Sequence, residues 1–175
     1  MMIIPTLLSE RLTLRAPAPK DLDAIYAFQS SDRSTFVGGP VDSKADSWSY
    51  LAGVIGHWQM RGFGRWVITE TGGDDTALGM VGPHYPFEWP EPEIAWTLYG
   101  GAEGKGYAFE AARLARDFAY QTLDWTTAVS MIAAENTRSI ALAKRLGCRP
   151  DGVFEHDTYG KMDMWRHPSP EEVLP

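Results

Sequence analysis

Residues Tyr99 to Ala111 read YGGAEGKGYAFEA, with four glycines inside seven positions, one lysine, and then the start of a helical pattern. The residues just before, EIAWTL, have the composition of a strand. A strand, a glycine turn and a helix N-terminus in direct succession restrict the fold strongly. The first-turn N–H groups of such a helix have no partner within the helix, and with the helix dipole they form a ready anion site. Glycine lets a phosphate approach that backbone without a Cβ in the way. Lys105 adds a charge.

The pattern fits neither of two familiar phosphate loops. Only three residues separate Gly100 from Gly104, and Gly106 rather than Ser or Thr follows Lys105, so it is not a P-loop. Gly104 and Gly106 begin a dinucleotide fingerprint, but Phe109 stands at its third position. A plain helix-entry loop with no ligand remains open at this point.

The rest of the chain supplies the frame. RLTLRAP alternates Leu12 and Leu14 with Arg11, Thr13 and Arg15, the pattern of a half-buried strand ended by Pro17 and Pro19. Leu22, Ile25 and Tyr26 then keep helical spacing, with Asp21 and Asp23 in the first turn. Ser43 and Asp46 form a capping-box pattern ahead of an expected apolar face of Trp48, Leu51, Ala52, Ile55 and Trp58. Three strand-like runs follow, GRWVITE, ALGMVGPHYPF and PEIAWTLY, with TGGDD as a turn. After the glycine loop, Tyr107, Ala111, Leu114, Ala115 and Phe118 mark a helix. TAVSMIA is a short strand, NTRSIALAKRLG a helix ended by Gly147, and the remainder two closing strands. The order β, α, α, three β, α, β, α, β, β describes one mixed α/β domain over residues 1–175, a length that supports a full hydrophobic core.

No apolar run is long enough to cross a membrane. The N-terminal MMIIPTLLSERLTLR is too short and too uncharged at its start for a signal peptide and reads as the lead-in to a first strand. A net charge of −7 disfavours nucleic acid and anionic membrane as partners. The single cysteine, Cys148, excludes an internal disulfide framework and makes the cytoplasm the expected compartment.

A second segment narrows the choice. NTRSIALAKRLGC carries Asn136 and Ser139 at the head of a helix, across one strand from the glycine loop. Together these motifs resemble the GNAT superfamily of acyl-CoA-dependent N-acetyltransferases, in particular its RimJ/RimL-like branch, and the similarity runs over nearly the whole chain. It implies a mostly antiparallel central sheet with flanking helices and acetyl-CoA as cosubstrate. The acceptor it implies is a primary amine, on a protein N-terminus or a small molecule. It also makes a homodimer through the late strands plausible, and requires no metal.

The family's pyrophosphate pattern, Arg/Gln-x-x-Gly-x-Gly/Ala, falls on Glu103 to Ala108; Gly106 and Ala108 match and Glu103 does not. The resemblance assigns Trp96, Thr97 and Leu98 to the pantetheine arm and Gly104, Lys105, Gly106, Tyr107 and Ala108 to the diphosphate. Asn136 would bond a pantetheine amide, or serve as a helix N-cap, or both. Lys144 and Arg145 are either adenosine-phosphate contacts or a solvated helix face. The tyrosine that many members place four residues before the helix-ending glycine is here Ala143. The resemblance to the RimJ/RimL-like branch, through the Asn-x-x-Ser pattern, implies Ser139 as the hydrogen-bond donor to the leaving thiolate; a helix-surface serine is the other reading.

For the general base the resemblance favours Glu93, with Glu155 as its rival and His84 and His156 behind them. Glu93 also reads as a solvated strand-end acid within EWPEPE. The base matters less for an α-amine, with a reference pKa of about 8, than for lysine at about 10.4. Cys148 reads as a buried structural residue rather than an acyl carrier. The proline-held aromatic loop PHYPFEWPEP is a candidate wall of the acceptor pocket. A catalytically inert acyl-CoA-binding module is the alternative from another functional class.

Overall fold

The computed structural model describes residues 3–175; Met1 and Met2, the first residues of the N-terminal lead-in, lie outside them. Eight strands form one sheet: β1 (Leu7–Leu8), β2 (Leu12–Arg15), β3 (Trp66–Glu70), β4 (Gly79–His84), β5 (Glu93–Leu98), β6 (Val129–Ile132), β7 (Arg149–His156) and β8 (Gly160–Arg166). The helices are α1 (Leu22–Gln29), α2 (Lys44–Arg61), α3 (Tyr107–Thr122), α4 (Thr137–Arg145) and the short α5 (Pro170–Val173). The spatial order is β1-β2-β3-β4-β5-β6-β8-β7. Every neighbouring pair is antiparallel except β5 and β6. The expected succession of elements is present, with β1, α5 and two 3-10 turns added. Among the described residues no helix is long and apolar enough to cross a membrane.

The core lies on both sheet faces. Leu12, Leu14, Trp66, Ile68, Val81 and Ile94 point to one face, where α3 packs. A stripe of alanines, 111, 112, 115 and 119, all fully buried, lets that helix lie close to the strands. Val67 and Met80 point to the other face and meet Ile25, Phe28, Leu51 and Val54 from α1 and α2. Strand side chains alternate in direction, so burial on both faces explains why β3 reads as continuously apolar.

The capping box forms: Asp46 N–H donates to Ser43 Oγ at 3.3 Å and Ser43 N–H to Asp46 Oδ2 at 3.1 Å. The expected inner face of α2 holds at Leu51 and Trp58 but is corrected at Trp48, Ala52 and Ile55, which are exposed. The buried stripe is Ser47, Leu51, Val54 and Trp58, while Trp48 is 55% exposed. Two adjacent stripes of this helix are apolar. The choice falls to Trp58, whose indole N–H donates to the Arg65 carbonyl at 2.9 Å and whose ring packs edge-on against Trp66.

A buried polar clasp joins β5, β6 and the chain after β8. Ser130 Oγ donates to the Ile94 carbonyl at 2.6 Å, so His167 Nε2–H must donate to Ser130 Oγ, 2.9 Å away. His167 Nδ1 has no partner among the described residues. Burial, and secondarily the charge of Arg116, lowers the His167 pKa to about 3. The unfolded chain, with histidine near 6.5, then takes up a proton that the folded chain refuses, so stability is full above about pH 6.5 and falls as pH drops. From pH 6.5 to 5 this one group should remove about 2 kcal/mol. Urea melts of the wild type and His167→Gln at pH 7 and pH 5 should show a steeper loss in the wild type. Equal losses in both would refute the assignment.

Candidate active site

The site begins where the sheet divides. β5 pairs with β4 over six residues, Glu93 to Leu98, but with β6 at a single pair, Glu93 and Val129. Beyond that pair the two parallel strands diverge and the β6-facing edge of β5 has no strand partner. The Glu93 carboxylate sits in the crotch of this fork. It accepts the Met131 N–H at 3.0 Å and the Trp89 indole N–H at 2.6 Å. It is 6% exposed, which excludes the reading as a solvated strand-end acid. Burial raises its pKa, against the opposing pull of both hydrogen bonds and of Arg65.

The glycine loop joins β5 to α3. Gly104 and Gly106 have φ of +74° and +81°, the left-handed region in which a side chain is strained. A Cβ on Gly104 would meet nothing, so that glycine is required by the backbone path rather than by crowding. Gly106 caps α3 without a side chain, leaving the first-turn N–H groups to an outside acceptor. Arg11 braces the loop: Nη1 donates to the Lys105 carbonyl at 2.9 Å, and the guanidinium pairs with Glu110 at 2.7 Å.

Glu103, the residue that departs from the pyrophosphate pattern, does not stand as a bare acid. Arg33 grips both of its oxygens, at 2.6 and 2.8 Å, and Arg138 pairs with it at 2.7 Å. Two guanidinium groups against one carboxylate leave the loop locally cationic. Neither arginine was singled out from the sequence.

α4 contributes the opposite wall. Asn136 Oδ1 accepts the Ser139 N–H at 3.2 Å, so the residue is an N-cap, and its Nδ2 is left with no protein partner among the described residues. Ser139 Oγ accepts the Trp96 indole N–H at 3.2 Å. With that lone pair used, the Ser139 hydroxyl proton is free to be donated elsewhere. Ala143 is fully buried in the core.

Two clefts open on either side of the fork. One, of about 750 Å³, is lined by Gly104, Gly106, Tyr107 and Ala108 from the loop and by Leu98 at the end of β5. The other, of about 670 Å³, is lined by Glu93, His57, His84, Arg65, Trp89 and Tyr159 among others. Trp96, Thr97, Asn136 and Ser139 line both. The structure thus gathers around the two clefts the residues assigned to the pantetheine arm, the diphosphate, the base and the thiolate donor, except Lys105. The Lys105 ammonium lies over the Tyr107 ring at 5.5 Å and does not line the cleft. Arg145 lines the loop-side cleft, whereas Lys144 lies over Trp165.

The rival bases separate on geometry. Glu155 is exposed on β7, on the strand face opposite Phe154 and His156, and lines neither cleft. His156 accepts the Thr158 N–H through Nδ1, so its Nε2 donates to Glu88 at 2.9 Å. His57, which sequence reasoning missed, accepts the Tyr85 N–H on Nε2 and donates from Nδ1 to the Phe63 carbonyl. Both its nitrogens are committed, and burial lowers its pKa. His84 stacks on His57, with its own pKa held well below the ordinary value by burial. The Cys148 thiol is pushed up to about 12 by burial, which makes a thiolate acyl carrier inaccessible near neutral pH.

Residues 11–149 match the model of the acetyltransferase (GNAT) domain. An acetyltransferase from Agrobacterium tumefaciens is 36% identical, with 97% of each chain covered and a TM-score of 0.85. The microcin C7 self-immunity acetyltransferase MccE, solved in complex with acetyl-CoA and AMP, shares the fold at 18% identity and a TM-score of 0.71, over 90% of this chain and 92% of that one. An uncharacterized N-acetyltransferase of Bacillus subtilis, YnaD, is 26% identical over 82 residues, 47% of this chain, and the match spans about half of that curated relative's length (48%). A forked sheet with a glycine loop on one side of the fork and a capped Asn-x-x-Ser helix on the other is therefore no coincidence of local geometry: the chain belongs to the GNAT acetyltransferase family.

Proposed function

We propose that this protein is an acetyl-CoA-dependent N-acetyltransferase that moves the acetyl group directly to a primary amine, and that it does so in the cytoplasm. The observation that carries the reading is the meeting of the two clefts at the fork, where Glu93, Trp96 and Ser139 converge from separate elements.

The loop-side cleft suits coenzyme A. Uncapped first-turn N–H groups of α3 and the net positive Arg33–Glu103–Arg138 cluster fit a diphosphate. The free Nδ2 of Asn136 fits a pantetheine carbonyl, and the unpaired edge of β5 fits the amides of the arm. When bound, the thioester supplies an activated acetyl group.

The residues of this chain then divide the work. Backbone N–H groups on the free edge of β5 stabilise charge developing on the carbonyl oxygen. Glu93, buried and with a raised pKa, takes the proton of the attacking amine, directly or through water. Ser139 donates its hydroxyl proton as a hydrogen bond to the departing sulfur, and the Trp96 N–H behind it strengthens that donation.

The test combines calorimetry of acetyl-CoA binding with a thiol-release assay over a panel of amines. The wild type should bind in the micromolar range and turn over. Ser139→Ala should keep the affinity and lose about 10- to 100-fold in kcat, the worth of a hydrogen bond to a charged group. Trp96→Phe, lacking the indole donor, should lose about 3- to 10-fold. Binding without turnover on any amine would replace the enzyme with an acyl-CoA-binding module, and no binding would remove both readings.

A further inference from the structure

The second cleft holds a cation that no carboxylate among the described residues pairs with. Arg65, just before β3, is the one lysine or arginine among the described residues that lines it. Its guanidinium pairs with no carboxylate among the described residues. It lies over the Tyr50 ring at 5.2 Å, and its backbone carbonyl is held by the Trp58 indole N–H. Both restraints come from α2, so the arm is aimed by a helix rather than left to wander.

The other charged groups of the cleft are spoken for. Glu88 bonds His156, and Glu93 holds the fork through Met131 and Trp89. His57 has both nitrogens committed and donates none to the cleft. A half-buried guanidinium over an aromatic face has given up part of its hydration and offers a planar fork of donors that matches a carboxylate. Arg65 and the candidate base Glu93 line the same cleft.

We infer that the acceptor is an amine that also carries a carboxylate, an α-amino-acid-like molecule whose carboxylate is gripped by Arg65 while its amine faces Glu93 at the fork. Tyr50, Trp89 and Tyr159 line the same cleft and suit an apolar or aromatic side chain branching from the carbon that carries both charged groups. The same charge disfavours a polyamine, whose second ammonium would meet Arg65. This inference rests on the N-acetyltransferase reading for its chemistry, but its binding step can be measured alone.

The experiment titrates L-phenylalanine, L-phenylalaninamide and spermidine into the protein saturated with coenzyme A, following tryptophan fluorescence, and repeats the set with acetyl-CoA and thiol release. A peptide with Asp at its second position, and its Asn counterpart, form a further arm. L-Phenylalanine should bind more tightly than its amide, and spermidine should not bind. Arg65→Gln should reduce the acid-to-amide preference by about 30-fold or more, with Arg65→Lys in between.

Binding of the acid without acetyl transfer would uphold the Arg65 site and overturn the enzyme reading. Acetylation of amides or spermidine with a preference unmoved by Arg65→Gln would overturn the site and uphold the enzyme. Failure of every carboxylate to bind would also overturn the site. A preference confined to the Asp peptide over the Asn peptide, lost in Arg65→Gln, would place the carboxylate on a polypeptide and overturn the free amino acid as its source.

Discussion

Glu93→Gln is expected to lower kcat/KM by about 100-fold or more, the usual worth of a positioned general base. The change is chosen to be gentle on the fold. A glutamine keeps one carbonyl for either the Met131 N–H or the Trp89 indole, and leaves the other donor facing an amide NH2. That mismatch costs about 1–3 kcal/mol, visible as a lower Tm with a cooperative melt retained. Glu93→Ala strands both donors and should be markedly less stable. In the wild type the acidic limb of the rate profile should lie above the usual carboxylate range, because burial raises this group and activity needs it deprotonated. The limb should vanish in Glu93→Gln. Were the variant to keep near-normal rates and an unchanged limb, Glu93 would be a brace of the fork and not the base.

Gly106→Trp should abolish measurable acetyl-CoA binding, a loss of about 100-fold or more in affinity. Among the described residues a Cβ at this position would meet Arg11 Nη2 alone, at 3.4 Å, so an indole has room to extend into the loop-side cleft that Gly106 lines. There it would cover the first-turn N–H groups of α3. The left-handed φ of +81° adds strain, roughly 1–2 kcal/mol for any L side chain. Gly106→Ala has the same strain without the indole and separates the two effects. It should lose a similar amount of stability and far less affinity. Retained micromolar binding in a folded Gly106→Trp protein would move the diphosphate away from this loop.

The succession of strands and helices was legible because periodicity and turn residues are local signals. The glycine loop and the Asn-x-x-Ser helix were legible for the same reason. What the sequence hid depends on distant partners. Glu103 reads as a defect in the loop until Arg33, 70 residues earlier, is seen to neutralise it. Glu93 reads as a surface acid until the divergence of β6 exposes the Met131 N–H, 38 residues later, for it to satisfy. The Trp96–Ser139 bond spans 43 residues and appears in no spacing rule. The misjudged face of α2 has another cause: with two adjacent apolar stripes, periodicity alone does not choose between them, and the partner of Trp58 does.

The fork also bears on how long the molecule survives. Among the described residues, a single strand pair, Glu93–Val129, with a few bonds such as the Ser130 clasp and the Met131–Glu93 hydrogen bond, stitches the β1–β5 half-sheet to the β6–β8–β7 half along their shared edge. Local opening, and hence proteolytic attack, should concentrate at this seam. A ligand laid along it binds the folded state alone and adds about 2.7 kcal/mol at a hundred times its Kd. The amount of protein a cell retains would then rise and fall with its supply of cosubstrate, before any acetyl group is transferred.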